Sequence, residues 1–223
     1  YSVNQYGVSE LGKSLIYYSL APEIYTKTVL LNFAIHGYED NYPKDGEVLV
    51  DTANSLIEYY ASNIDKLGET RLIVIPCANP DGLYDGTTNN GFGRCNANGV
   101  DLNRDFDAEH IVYTNDRNKT SAPFSASESR ALRDLVIDIN KPMLGLDDNP
   151  NIVIDFHGWL NTTIGDDSLA QIFKDNLDLS HQTKFNNKCH GYFAYWAHLQ
   201  GMESLLVEFK DENIPFDKLI IVI

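Results

Sequence analysis

His36 and Glu39 stand three residues apart in the segment I-H-G-Y-E, at the end of a short apolar run. Gly37 allows a tight turn there, and Pro43 and Gly46 delay the next helix, so both side chains can face one point. An imidazole and a carboxylate are good zinc ligands, but H-x-x-E alone is more often a surface pair than a metal site. His157 closes a second apolar run, I-V-I-D-F-H-G-W, and repeats the His-Gly context of His36. If two strand ends of one sheet converge, His36, Glu39 and His157 supply the two imidazoles and one carboxylate of a catalytic zinc site with a fourth position open. Glu208 lies inside a third apolar run, L-L-V-E-F. A carboxylate there is costly unless it is paired, functional or facing water from an edge strand. Beside a metal it becomes a general base with a raised pKa. Arg94 and Arg104 lie in an Asn- and Gly-rich stretch. A guanidinium fork suits a carboxylate or a developing oxyanion, although each arginine taken singly reads as a surface salt-bridge partner.

These side chains need strands to carry them. Thr28–Ile35, Arg71–Pro76, Asn151–Phe156 and Ser204–Phe209 are short continuous apolar runs, as expected of strands buried on both faces, and Leu15–Leu20 is a weaker one. Between them, Val48, Leu49, Ala53, Leu56, Ile57 and Tyr60 recur at helical spacing. Ser125-Ala126-Ser127-Glu128 reads as a capping box ahead of Ala131, Leu132, Leu135 and Ile137, and Ser168–Leu177 forms a third helical pattern. The alternation predicts one α/β domain over residues 1–223, a mixed, mostly parallel sheet flanked by helices on both faces. Sites in such sheets gather at the C-terminal ends of strands. Asn79-Pro80-Asp81-Gly82 is a turn, and Thr87–Arg104 reads as a functional surface loop.

With 43% hydrophobic residues, the 223-residue chain can build a substantial core. Its 32 acidic and 17 basic residues leave a net charge of −15, which disfavours nucleic acid and anionic membrane surfaces as partners. No apolar run is long enough to span a bilayer; the closing Leu219–Ile223 is a strand or a clipped helix. Cys77, Cys95 and Cys189 make an odd set without C-x-x-C, which excludes a complete disulfide framework and argues against a cysteine zinc site. Cys77 reads as a buried thiol. Cys95 and Cys189 could pair, with free thiols as the default.

In order along the chain, H-x-x-E, N-P-D-G, G-V-D-L-N-R-D-F, a strand ending in His-Gly and L-V-E-F resemble the carboxypeptidase A type of zinc metallocarboxypeptidases, the funnelins. Tyr6–Lys13 is similar to that family's G-x-S-x-x-G-R segment with Lys for Arg, and Pro123–Glu128 to its P-x-S-x-x-E helix start. The resemblance covers nearly the whole chain.

The resemblance implies one zinc per chain on His36, Glu39 and His157, with Asp101 orienting a zinc histidine. Asn103 and Arg104 would grip a substrate's terminal carboxylate, Arg94 would polarise the scissile carbonyl, and Glu208 would be the catalytic glutamate. Tyr192 and Tyr195 are both candidates for the family's mobile tyrosine, with packing as the alternative for each. Ala194, two residues before Trp196, would be the specificity position; it carries no charge to select basic or acidic side chains. Fifteen residues follow Glu208, so a closing helix is expected to be shortened or cut away. His110, His181, His190 and His198 suit surface or supporting roles. I-D-F-H-G-W and G-Y-F-A-Y-W look like bacterial members. The expected activity is therefore peptide hydrolysis near a free C-terminal carboxylate. A cell-wall peptidase and an amidase or deacylase of the same fold are the alternatives. The expected partner is a peptide or muropeptide, and the expected location is secreted or in the cell envelope.

Overall fold

The computed structural model describes residues 1–115, 118–141 and 151–223. Its centre is an eight-stranded sheet built from β1 (Ser2–Val8), β2 (Ser14–Leu20), β3 (Lys27–Phe33), β4 (Thr70–Ile75), β6 (Ile152–Gly158), β7 (Thr162–Gly165), β8 (His181–Thr183) and β9 (Glu203–Phe209). The order is β1-β2-β4-β3-β6-β9-β7-β8. The middle is parallel, β4-β3-β6-β9, and antiparallel pairings join β1, β2 and β7 to it.

Continuous apolar runs suit these central strands because side chains alternate between two buried faces. Leu31 and Ile154 face a core closed by α1 (Gly46–Ser62), α4 (Asp167–Leu177) and α6 (Phe216–Val222). Their neighbours Leu30 and Val153 face a second core closed by α3 (Ser127–Ile139) and α5 (Phe193–Leu199). The sheet is thus mixed, mostly parallel and covered on both sides, as the alternation of patterns implies. Beneath the C-terminal ends of β3, β6 and β9, Phe156 stacks on Phe33 at 4.5 Å and on Phe209 at 5.4 Å between ring centroids. Aromatic pairs of this kind contribute about 0.5–1.5 kcal/mol each beyond burial, and here they clamp the three strands that lead into the site.

Several boundaries differ from expectation. β3 stops at Phe33, before His36, because Ala34 adopts φ 47 and the carbonyls of Phe33 and Ala34 accept the N–H groups of Ala78 and Asn79. His157 lies inside β6, because β9 runs alongside it as far as Phe209. The Ser125–Glu128 capping box does not form, and Ala126 is the N-cap of α3. Distant carboxylates outcompete the local serine. Asp105 accepts from the Ser125 hydroxyl at 2.6 Å and from Ala126 N at 2.9 Å, and Glu10 accepts from Ser127 N at 2.7 Å. Glu128 in turn accepts from Glu10 N and Asn96 Nδ2. The stretch read as a loop over Thr87–Arg104 contains β5 (Thr88–Cys95) and a 3-10 turn over Leu102–Arg104. The turn at Asn79 opens α2 (Pro80–Asp85), capped by the Asn79 side chain. The C-terminal apolar run is the end of α6. Cys77 is half-buried, and Cys189 is a free thiol, so it is not bridged to Cys95.

Candidate metal centre and active-site cleft

His36 and Glu39 reach the C-terminal edge of the sheet on the loop between β3 and α1. Gly37 and Gly46 make that loop possible through space. A Cβ on Gly37 would meet Leu83 N at 2.3 Å, and one on Gly46 would meet Gly37 O at 2.6 Å. The loop is therefore pressed between α2 and the first turn of α1.

His157 comes from β6. Its ring centroid lies 5.1 Å from that of His36, and all three residues are buried. His36 Nδ1 lies 3.3 Å from Glu39 Oε2, and His157 Nδ1 lies 3.3 Å from Glu39 Oε1. The three ligating atoms fall within 4.8 Å of one another. Each Nε2 points away to a carboxylate: His36 to Asp101 Oδ1 at 2.9 Å, His157 to Asp155 Oδ2 at 2.8 Å. With Nε2–H donating to a carboxylate, Nδ1 is left with its lone pair facing the common point, the arrangement that outer partners impose on metal-binding histidines.

This donor set fits zinc. It offers two imidazole nitrogens and a carboxylate with room for a fourth ligand. Glu39 Oε1 has no hydrogen-bond partner among the described residues, an unsatisfied buried oxygen that a cation would satisfy. The electrostatics agree. Burial opposes charge on His157, but Asp155 and Glu39 outweigh it and hold its pKa well above the ordinary value. Burial would raise the Glu39 carboxyl, but His36 and His157 overcome it and lower it to about 2. The carboxylates around the two imidazoles thus favour positive charge at this point.

Glu208 stands opposite His157 in the β6–β9 register. Burial is the main cause that raises its pKa to about 7, and the nearby Glu39 adds to it. Its Oε2 has no hydrogen-bond partner among the described residues. Glu208 lines a cleft of about 270 Å³ together with His36, Glu39, His157, Arg94, Asn103, Arg104 and Tyr192. Trp159, Leu160, Ile164 and Leu206 give the same cleft an apolar, uncharged wall.

Arg94 arrives on β5. Its Nη1 meets Asp40 Oδ2 at 3.0 Å and its Nε meets Asp101 Oδ2 at 3.4 Å. Burial works against its charge, and Asp101, Glu39 and Asp40 more than restore it. Asp101 thus touches both His36 and Arg94, and its Oδ1 also accepts Asn103 N at 3.0 Å. Arg104 lies with its guanidinium 4.5 Å from the Tyr192 ring centre, and its Nη1 donates to Asn103 O. Among the described residues Arg104 has no carboxylate partner. Asn103 Oδ1 accepts Phe193 N at 2.8 Å, which ties this segment to the start of α5.

The structure places two named residues elsewhere. Ala194 is fully buried and its carbonyl accepts the Ser204 hydroxyl. Tyr195 stacks on Phe185 at 5.2 Å and packs beside His198. Both face away because α5 turns them toward β9 and the outer surface, so Tyr192 alone of the two tyrosines borders the cleft. Sequence reasoning also missed Asp155, Asp45 and Trp159. Asp155 was legible: it precedes His157 by two positions on one strand, hence shares its face, and a buried strand carboxylate needs a partner.

Residues 25–164 match the sequence profile of the zinc carboxypeptidase family. The chain belongs to that family. The matched segment holds His36, Glu39, Arg94, Asn103, Arg104 and His157, while Glu208 lies beyond it. The family is described as that of the zinc carboxypeptidases. The bacteriocin BCN5 of Clostridium perfringens is 34% identical over 205 residues, covering 91% of this chain and 22% of the relative. The chain thus spans about a fifth of the length of that curated relative. Among solved structures, carboxypeptidase A from Helicoverpa armigera superposes with a TM-score of 0.73 at 17% identity, over 99% of this chain and 64% of the other. Murein-tripeptide amidase MpaA from Escherichia coli O157 superposes with a TM-score of 0.65 at 22% identity, over 99% and 91%. At these identities the likeness concerns the fold. No helix among the described residues is long and apolar enough to cross a membrane.

Proposed function

We propose that this domain hydrolyses a peptide bond next to a free carboxylate, with one zinc held by His36, Glu39 and His157 and with Glu208 as the general base. The observation that carries the reading is the shared cleft. It joins a buried His-Glu-His set, a carboxylate with an unpartnered oxygen and a pKa near neutrality, and an arginine without a carboxylate partner among the described residues. The chemistry a bound zinc supplies at such a site is carbonyl polarisation and acidification of water. Glu208 Oε2 takes a proton from the attacking water and returns it to the leaving amine. Arg94, fixed by Asp40 and Asp101, steadies the oxyanion that develops on the scissile carbonyl. Asn103 and Arg104 hold the substrate's carboxylate, and Tyr192 backs the guanidinium of Arg104.

A peptide with a free C-terminal carboxylate is expected to be cleaved about 5- to 150-fold faster, in kcat/KM, than its amidated twin, because the amide leaves Arg104 unpaired at about 1–3 kcal/mol. Arg104→Ala should erase most of that preference. Equal cleavage of the twins by the wild-type domain would overturn the carboxylate-dependent reading in favour of an endopeptidase or an amidase.

The substrate within this class is a bacterial cell-wall peptide. Support comes from the relation to a bacteriocin and from the fold shared with a murein-tripeptide amidase. With the relation to a bacteriocin, this substrate supports a location outside the producing cell or in its envelope. The net charge of −15 slows encounter with an anionic substrate, although salt screens it beyond about 8 Å. A muropeptide tri- or tetrapeptide should therefore match or exceed all-L peptides ending in Phe, Leu, Lys or Glu in side-by-side kinetics. A wide margin for the all-L peptides would remove the cell-wall reading and leave the carboxypeptidase one standing.

A further inference from the structure

The buried carboxylate of Asp45 takes no part in the steps above. It immediately precedes α1, yet its side chain does not cap that helix. It turns back over the ligand loop instead. Oδ1 accepts the backbone N–H of Glu39, and Oδ2 accepts that of Asn41 at 2.9 Å. The same Oδ2 accepts the indole Nε1–H of Trp159 at 3.0 Å. Trp159 follows His157 by two residues and lines the cleft with Glu39 and Asn41. One carboxylate therefore binds the loop carrying His36 and Glu39 to the segment that leaves His157.

The loop needs such a tie. Asp40 and Lys44 adopt φ 87 and 62, a left-handed backbone that is unfavourable for non-glycine residues. Glu39 has to present each carboxylate oxygen 3.3 Å from a different histidine, and its backbone lies outside any helix or strand. We propose that Asp45 is a positioning residue that fixes Glu39 against the two histidines and sets the Trp159 wall of the cleft at the same time. The proposal rests on Glu39 being a zinc ligand. It adds that metal affinity and substrate affinity share one anchor.

The test uses Asp45→Asn, Trp159→Phe and the double variant of the full chain, at a temperature where thermal unfolding shows each to be folded. Asn keeps one acceptor oxygen and turns an NH₂ group toward donors. Zinc affinity is read by chelator competition. The Trp159 indole N–H is read by NMR, where the two tryptophans give two such signals. KM and kcat are read on a carboxylate-terminated peptide. Asp45→Asn should weaken zinc binding at least about tenfold, the scale of lost outer partners, and shift the Trp159 signal. Trp159→Phe should raise KM with zinc binding at the wild-type level, and it should add little to KM once Asp45 is already Asn. Wild-type zinc affinity in folded Asp45→Asn, with independent effects of the two substitutions, would overturn the proposal and leave Asp45 a stability residue. Should Asp45→Asn not fold, an unchanged KM in Trp159→Phe overturns it as well. A wild-type chain that binds no zinc would sink the zinc reading itself, a result distinct from loss of coupling.

Discussion

Glu208→Gln is expected to lower kcat by at least about 100-fold while zinc content and fold are preserved. General-base catalysis contributes about 10²–10⁴, and the amide keeps the shape of the side chain but cannot take a proton. The position makes this a clean substitution. Glu208 lies opposite His157 on a paired strand, and its Oε2 has no hydrogen bond among the described residues for the change to break. Its pKa of about 7, raised mainly by burial, puts it where a proton can be accepted and released near neutral pH. Stopped-time assays on the preferred peptide, with metal analysis of the same sample, decide the matter. Turnover near the wild-type level would remove Glu208 from the mechanism, and loss of folded protein would make it structural.

Replacing His157 with Ala should have the largest effect of all, stripping most of the zinc and with it peptide hydrolysis. The change removes one of the three proposed ligands and leaves Asp155 buried without its imidazole. An uncompensated buried charge costs about 3–5 kcal/mol, so the melting temperature should fall too. Metal content of the purified variant is the deciding measurement, against about one zinc per chain in the wild type. Full zinc occupancy in a His36→Ala/His157→Ala double variant would show that the metal sits elsewhere.

The three strands that matter most were legible because burial on both faces leaves an unbroken apolar run, and the residues that end or interrupt those runs are the ones that meet in the cleft. Asp101 and Asn103, and the specific role of Arg104, came from a resemblance and not from local pattern, since nothing in the segment itself says which element it faces. The hidden part is what long-range contacts decide. The Ser125 cap is lost to Asp105, twenty residues away, and the loop's anchor at Asp45 looks in sequence like an ordinary helix start. Tyr192 and Tyr195 differ by less than one helical turn, so only the packing of α5 could say which of them borders Arg104.

His157 and Glu208 are opposite residues on neighbouring strands, so their separation is inherited from backbone pairing and braced below by the Phe33, Phe156 and Phe209 rings. Arg104 and Tyr192 are carried on segments outside the main sheet. On the proposed mechanism, the molecule is in effect a fixed cutting head with an exchangeable jaw. Grafts confined to residues 102–104 and 189–193, with Arg94 and Asp101 left in place, are expected to retool which substrate is seized while the spacing of His157 and Glu208 is kept.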